Sequence, residues 1–345
     1  MHSITEKVLA WYQDNKRSLP WRDTVHPYRS LVSEFMLQQT RVETVKPYFA
    51  AFLSSFPTIE DLAAAPIEDV LQHWKGLGYY SRAHNLHKAA QIIAQRESFP
   101  STVAELRTLP GVGEYIAGAI ASIAFGQDEP AVDGNHHRVF SRLFCDSRDR
   151  KFMWEHAREL LPTGLAGDYN QALMDLANAL CKPKEPLCTE CPLSTDCLAF
   201  QNNSIRQFPP PKQKKEVPQK TVHSLWILNS QGQFLVAQRP DTGLYKGLFE
   251  LPSFFMEEDA TVSTFFLDEF GVSITLGASL GTVSHRLTHM LITNELFAAT
   301  IEELPTTSNT YTSFRWIAKP DDAPLSSLAQ KVCALPHQEH QLPLF

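Results

Sequence analysis

The chain has 345 residues, 43% of them hydrophobic, and a formal net charge of −7. That length suits two domains or three small ones, and that apolar share can bury real cores, which excludes a disordered chain. No run of about 18 apolar residues occurs, and Met1 to Gln13 lacks a basic stretch followed by an apolar one, so neither a membrane span nor a secretory leader is expected and the cytoplasm is the expected compartment.

The charge is unevenly placed. Residues 1–220 hold 25 Lys and Arg against 25 Asp and Glu, whereas 221–345 hold 6 against 13. A phosphate-binding surface must then be a local patch on the first part. Six cysteines in such a chain read as thiols or metal ligands rather than disulfides.

In chain order, apolar residues recur at helical spacing over Val8–Tyr12, Leu31–Leu37, Leu86–Ile93 and Leu173–Leu180. Turn signals at Phe99-Pro100-Ser101 and Leu109-Pro110-Gly111 separate them. Residues 1–204 therefore read as a helical domain. Residues 205–220 are rich in Pro and Lys and read as a linker, stiffened by Pro209–Pro211. Beyond it the period changes. Val222–Leu228, Phe234–Gln238, Leu280–Val283, Met290–Thr300 and Phe314–Ile317 predict strands, with one helix near Thr261–Phe270. Residues 221–336 thus form a small mixed α/β domain, and 337–345 a tail.

Three features carry chemistry. Glu34 stands inside the apolar stretch Leu31–Leu37, either on a solvent face or in a functional position, and apolar neighbours would raise its pKa. Asp133, in Val132-Asp133-Gly134-Asn135, fits a helix N-cap and, in so polar a setting, should stay ionised. A protonated acid and an anion facing one cleft suit cleavage of a glycosidic bond. Between them Leu109-Pro110-Gly111-Val112-Gly113 precedes an Ala/Ile-rich helix. The glycines permit unusual backbone angles and close approach of a phosphate, so N–H groups of Gly111, Val112 and Gly113 can bind a DNA backbone.

Cys181, Cys188, Cys191 and Cys197 follow a C-x6-C-x2-C-x5-C spacing, while Cys145 and Cys333 stand alone. Four thiolates within 17 residues mark a metal site. A [4Fe–4S] cluster suits the spread spacing, with zinc the rival, although zinc ribbons usually pair two C-x2-C knuckles.

Together with Leu19-Pro20-Trp21-Arg22, the stretch Ser33–Thr40 and Gly76–Ala83, these motifs resemble the helix–hairpin–helix, Gly/Pro-Asp superfamily of base-excision glycosylases, and within it the MutY adenine glycosylases. The resemblance is clearest over residues 8–200. It implies a mostly α glycosylase domain with a [4Fe–4S] loop (181–197), an α/β Nudix-like domain at 221–336, and excision of adenine mispaired with 8-oxoguanine or guanine in double-stranded DNA by a monomeric enzyme. Glu34 would protonate adenine, Asp133 would stabilise the sugar cation, and Tyr115 and Asn135 would orient these groups and the water. Arg17 and Arg22 would line the adenine pocket. Leu37, Gln39, Thr40 and Tyr79 would wedge into the base stack.

Endonuclease III-like relatives, bifunctional enzymes acting on oxidised pyrimidines, carry a Schiff-base Lys where this chain has Tyr115, so that alternative is less expected. Gly247-Leu248-Phe249-Glu250-Leu251-Pro252 resembles the start of a Nudix pattern. Ser253–Gly271 lacks the acidic run that holds magnesium, which argues against a nucleotide-diphosphate hydrolase. A DNA-binding protein without catalysis remains open on composition. Thr282-Val283-Ser284-His285 resembles the family's Phe-Ser-His loop, placing Ser284 and His285 at 8-oxoguanine, with Val283 where the aromatic would stand. The final Gln341-Leu342-Pro343-Leu344-Phe345 resembles the peptide by which bacterial repair proteins bind the sliding clamp, with Gln341, Leu342, Leu344 and Phe345 as contacts.

Overall fold

The computed structural model describes residues 2–146, 148, 150–211, 216–255, 267, 269–305, 308 and 310–337. Contacts divide the chain into two compact units. The first comprises Met1–Ala64 and Asn85–Gln213, the second Ala65–His84 and Lys214–Phe345. The boundary after Gln213 falls inside the Pro/Lys-rich stretch.

The first unit is helical, and its local signals explain where helices start. Helices α1 (His2–Asn15), α2 (Pro27–Leu37) and α3 (Val42–Ser55) open the chain. Pro27 starts α2, where a missing N–H costs nothing, and the His26 ring accepts from Tyr28 N–H. Helix α4 spans Ile59–Ala64. In the hairpin, the one-turn helix α7 (Val103–Leu106) is opened by a capping box of Thr102 and Glu105. Helix α8 (Glu114–Phe125) follows the glycine turn and stops at Gly126, whose φ of +64° ends it. Helix α9 (Gly134–Phe144) is capped by Asp133. Helices α10 (Arg150–Leu160) and α11 (Ala166–Ala179) complete the bundle, and the one-turn α12 (Leu198–Gln201) follows the cysteines. Val8, Tyr12, Phe140, Trp154, Leu173 and Leu176 interlock α1, α9, α10 and α11 in one core. The four helical stretches expected from apolar period fall in α1, α2, the helix α6 (Ser81–Ala94) and α11.

One buried amide fixes the approach to Asp133. Asn170, on α11, accepts from Ala131 N–H at 3.1 Å and donates to Glu129 O and Ser122 Oγ at 2.9 Å each. The same segment presses on α8, where a Cβ at Gly118 would stand 2.0 Å from Pro130 O. No side chain larger than hydrogen fits there, so the strand-like run 129–132 lies flat on α8 and delivers Asp133 to the start of α9.

The second unit is a β-structure with helices. Its sequence-local part, 65–84, holds α5 (Ile67–Trp74) and the start of α6 (Ser81–Ala94). Lys75 Nζ donates to Asp321 Oδ1 at 2.7 Å, Gln72 to Asp321 O at 2.8 Å, and Glu68 pairs with Arg315. These links tie the segment to strands far along the chain. Seven strands follow among the described residues: β1 (Gln219–Ile227), β2 (Phe234–Gln238), β3 (Phe249–Glu250), β4 (Ser253–Phe255), β5 (Ile274–Arg286), β6 (Leu291–Ile301) and β7 (Ser313–Ile317). They form two sheets, ordered β4-β1-β6-β5 and β3-β2-β7. Only β1 and β6 run parallel, so the larger sheet is mixed. Leu225, Ile227, Leu235, Ala237 and Phe254 fill one side of this core, and Val222, Val236, Leu296 and Leu325 another. Helix α13 (Ser327–Cys333), capped by Ser326, closes the unit.

Two expectations change here. The run Leu280–Val283 is only the middle of a 13-residue strand, whose first half is exposed and polar enough to hide its alternation. Strands β3 and β4 are too short to show a period at all. The helix expected near Thr261–Phe270 lies mostly outside the described residues.

Candidate active site

A cavity of about 930 Å³ opens in the first unit. Arg17, Arg22, Glu34, Leu37, Gln39, Thr40, Tyr115, Asp133 and Asn135 all line it, so nine residues singled out from sequence meet at one place. They come from α2 and the loop after it, the start of α8, the start of α9, and the segment after α1.

The two carboxylates are held in opposite ways. Glu34 is 6% exposed, and its Oε2 has no hydrogen-bond partner. Burial pushes its pKa up to about 7; the Tyr115 hydroxyl opposes that rise, the Asp133 charge adds to it, and Arg22 opposes it. Near neutral pH Glu34 therefore holds a proton it can give away. Tyr115 itself is pushed well above its ordinary range, chiefly by burial and then by the two carboxylates, so it stays a neutral hydroxyl.

Burial also acts to raise the Asp133 pKa, but the donors around it prevail and hold it below its ordinary value. Its Oδ1 accepts from Asn135 N–H and His136 N–H at 2.9 Å each and from His136 Nδ1 at 2.7 Å. Its Oδ2 accepts from Asn135 Nδ2 at 2.7 Å. The helix cap and the ionised carboxylate are thus one arrangement. Asn135 is fixed in turn by Arg138, whose Nη2 donates to Asn135 Oδ1 at 3.0 Å.

Asp175, 1% exposed on α11, was not anticipated and organises the cationic wall. Arg17 Nε donates to its Oδ1 at 2.8 Å and Arg22 Nη1 to its Oδ2 at 2.7 Å. Both arginines line the cavity and share the one Asp175 carboxylate, which fixes their geometry and leaves the cluster with one net positive charge. Asp175 sits in the apolar stretch Leu173–Leu180 as Glu34 does in its own, and that shared pattern is the signal that could have found it. Trp21, edge-on to Phe49 at 5.4 Å, is among the lining residues for which the sequence suggested no role. After α2 the chain turns through Gln39 with φ of 57°, a left-handed conformation for a non-glycine, which projects Gln39 and Thr40 at the cavity edge.

The hairpin does not line the cavity. Gly111, at φ +76°, needs to be glycine: a Cβ there would stand 2.9 Å from Phe35 on α2 and 2.8 Å from Asn85. Gly113 differs from expectation, since its backbone is extended and any residue can adopt it; it caps α8 with nothing within 4 Å of its would-be Cβ. Val112 N–H is already spent on Leu109 O at 3.2 Å within the turn. The open face of the loop is thus left to the glycines and the first N–H groups of α8.

The four cysteines Cys181, Cys188, Cys191 and Cys197 are free thiols that line a single cavity of about 30 Å³, with Leu187 and Phe200 among its walls. Among the described residues no three His, Cys, Asp or Glu side chains sit close enough to hold one metal ion, so the sulfurs surround a space rather than converge on a point. Burial pushes Cys191 up to about 11, the Leu193 N–H acting against it and the neighbouring sulfurs adding to it, so four thiolates there need a cationic core. Helix α9 grips this loop: Arg138 Nε donates to Cys181 O at 2.7 Å, and Arg142 to Cys181 Sγ at 3.3 Å and Lys182 O at 2.8 Å.

The remaining candidates lie in the second unit. A cavity of about 440 Å³ is lined by Tyr79, Tyr245, His285 and Leu287, among others. Tyr79 is therefore not in the first cavity. It projects from a turn at φ 49°, braced by Arg82, which donates to Gly78 O at 3.0 Å and lies under the Tyr79 ring. Ser284 and His285 sit not in a loop but at the end of β5, opposite Thr293 and Ile292 of β6. Burial and then Lys331 lower the His285 pKa, and Lys331 Nζ donates to His285 Nδ1 at 3.5 Å, which leaves Nε2–H as the ring's donor. Glu250 of the Nudix-like motif is engaged by Arg239 and Tyr311 at 2.8 Å each. The tail contacts Gln341, Leu342, Leu344 and Phe345 lie outside the described residues.

A capped aspartate at a helix start, a dry glutamic acid across the same cavity and a glycine hairpin between them define a helix–hairpin–helix base-excision glycosylase. The model of the HhH-GPD superfamily base excision DNA repair proteins matches residues 32–163, and that of the NUDIX domain residues 223–335. An adenine DNA glycosylase of Buchnera aphidicola subsp. Baizongia pistaciae is 33% identical over 294 residues, 83% of each chain. The human adenine DNA glycosylase is 32% identical over 394 residues, covering 94% of this chain and 72% of its own. Among solved structures, a thermostable thymine-DNA glycosylase is 30% identical with a TM-score of 0.54, covering 58% of this chain and 95% of its own. The chain belongs to the adenine DNA glycosylase family.

Proposed function

We propose that this glycosylase removes adenine paired with 8-oxoguanine or guanine in double-stranded DNA, without lyase activity. The observation that carries the reading is the opposed state of Glu34 and Asp133 on one cavity: a protonated acid and a saturated anion. A flipped adenosine enters the cavity. Glu34 gives its proton to adenine N7 while the N9–C1′ bond breaks, its electron pair leaving with the base. The sugar becomes an oxocarbenium ion facing the Asp133 carboxylate. Water adds at C1′, and its proton returns to Glu34. Tyr115 and Asn135 keep both carboxylates aimed. Tyr115 offers no amine for a Schiff base, so the strand is left uncut.

Cys181, Cys188, Cys191 and Cys197 would hold a [4Fe–4S] cluster, which would supply a rigid anchor for the loop that α9 grips. Ser284 and His285 would read the 8-oxoguanine, with Tyr79 and the Leu37–Thr40 turn entering the stack. The C-terminal tail would bind the sliding clamp in the cytoplasm.

The decisive assay incubates the purified protein with duplexes bearing single mispairs and cleaves abasic sites with alkali. Cleavage at adenine opposite 8-oxoguanine and guanine, and none without alkali, is expected. Intact adenine in both duplexes overturns the reading, and strong borohydride trapping overturns the monofunctional part. Four irons per anaerobically purified chain are expected, and stoichiometric zinc without iron removes the cluster. Truncation after His340 should abolish clamp binding with excision intact; equal binding by both proteins removes the tail.

A further inference from the structure

The groups around Asp133 do more than cap a helix. A capping carboxylate is ordinarily satisfied by one or two backbone N–H groups of the first turn. Asp133 has those two, from Asn135 and His136, and a third donor on the same oxygen, the His136 ring at 2.7 Å. A carboxylate can only accept, so Nδ1 carries the proton in this pair. The ring is 1% exposed, and its far nitrogen, Nε2, has no partner. An apolar side chain of similar size would fill this place without leaving a buried polar atom unmet. A buried imidazole kept there at that cost points to the one bond it does make.

We propose that His136 is the positioning residue of Asp133: its Nδ1–H locks the carboxylate's orientation and favours its ionised form, leaving Oδ2 as the oxygen that meets the cationic sugar. Oδ1 is filled by three donors, whereas Oδ2 receives only Asn135 Nδ2. This rests on the glycosylase reading above, since it assigns Asp133 a cation to stabilise. The charged and titratable groups acting on Asp133 are Glu34 from α2, Tyr115 from α8, and His136 and Arg138 from its own helix. Of the other helices packed on α9, α11 offers Asp175, already paired with Arg17 and Arg22, and α10 offers His156, paired with Asp146. Arg138 donates to Asn135 rather than to Asp133, so no other side-chain donor among these takes the place of the imidazole N–H on Oδ1.

The test compares H136L, which fills the space without a donor, with H136N, whose amide can reach as Nδ1 does. Single-turnover adenine excision opposite 8-oxoguanine is measured from pH 5 to 9, alongside thermal unfolding. In H136L the acid limb should move to higher pH, so that the ratio of the pH 5 to the pH 7 rate falls about threefold or more, while the alkaline limb, set by Glu34, stays in place. H136N should keep the wild-type ratio. If H136L folds poorly, H136N still decides: its ratio falling as in H136L, with normal unfolding, overturns the proposal. An unmoved acid limb in a folded H136L overturns it too. A wild-type protein that excises no adenine fails the glycosylase reading instead, so the two failures are told apart.

Discussion

The two cavities, one in each unit, are built from different physics. The first is lined by Glu34, Asp133 and Tyr115, ionisable groups each shifted by burial and by their neighbours, with the buried Asp175 behind its arginines. The second is walled by tyrosines, a strand end and one partly buried histidine held neutral beside a lysine. Breaking a bond requires protons and charges held away from their resting states, and burial supplies that. Recognition requires shape and neutral donors, which half-exposed side chains supply. The comparison predicts that changes in the first cavity alter rate on every substrate, and changes in the second alter only discrimination.

The largest effect is expected at Glu34. Glu34→Gln keeps the shape and removes the proton, so single-turnover excision should fall by roughly 10³-fold or more while duplex binding persists. Asp133→Asn should follow, losing roughly 10² to 10³-fold. Asn keeps the helix cap but gives up the stability that the lowered Asp133 pKa contributes, so the rate is compared in a variant shown by thermal unfolding to be folded at the assay temperature. Near-normal rates in either variant would break the comparison, since the first cavity would then hold groups no more essential than the second.

A stability measurement sharpens it further. The Glu34 pKa is raised on folding, from 4.5 to about 7. The folded state therefore binds this proton more tightly, and the stability it contributes is complete below about 4.5 and lost as pH rises through about 7. Glu34→Gln removes that loss. It should stabilise the protein at pH 8 by about 3 kcal/mol and much less at pH 5, read from urea unfolding at both values. Equal shifts at the two pH values would mean that Glu34 is not held in a dry site. Asp133 carries the opposite sign: its lowered pKa contributes stability above its unfolded value that is lost on acidification.

What was legible in the sequence follows the range of the interactions. Glu34 in an apolar helix, Asp133 before one and the cysteine spacing are local patterns, and the helical and β halves follow from periodicity. Asp175, Asn170 and His136 were not legible as site residues. Each acts through a partner whose proximity is set by helix packing: Asp175 through arginines 153 and 158 residues away, Asn170 through a segment about forty residues away. His136 lies three residues from its partner, but only its burial shows that the ring has nowhere else to bond. Gly113 failed for a related reason, since a glycine's need for positive φ depends on which turn forms. Tyr79, expected to enter the base stack with Leu37, Gln39 and Thr40, belongs to the second unit, where Lys75 and Gln72 tie its segment to Asp321.

The smallest effect is expected in the second cavity. Ser284 is exposed and His285 partly buried at the end of β5, and neither supports the core. The Nε2–H of His285 is a single neutral donor, worth about 1 kcal/mol in recognition. Replacing Ser284 and His285 together with Ala should slow adenine excision opposite 8-oxoguanine about five- to tenfold, and opposite guanine about twofold or less. The substrate ratio is the quantity to measure, because a fold defect lowers both rates together and leaves the ratio alone. The same double change should leave the pH profile untouched, since both limbs belong to groups of the first cavity. An equal loss on both substrates would mean that this strand end serves general DNA binding, and the division between a cavity for chemistry and a cavity for recognition would have to be given up.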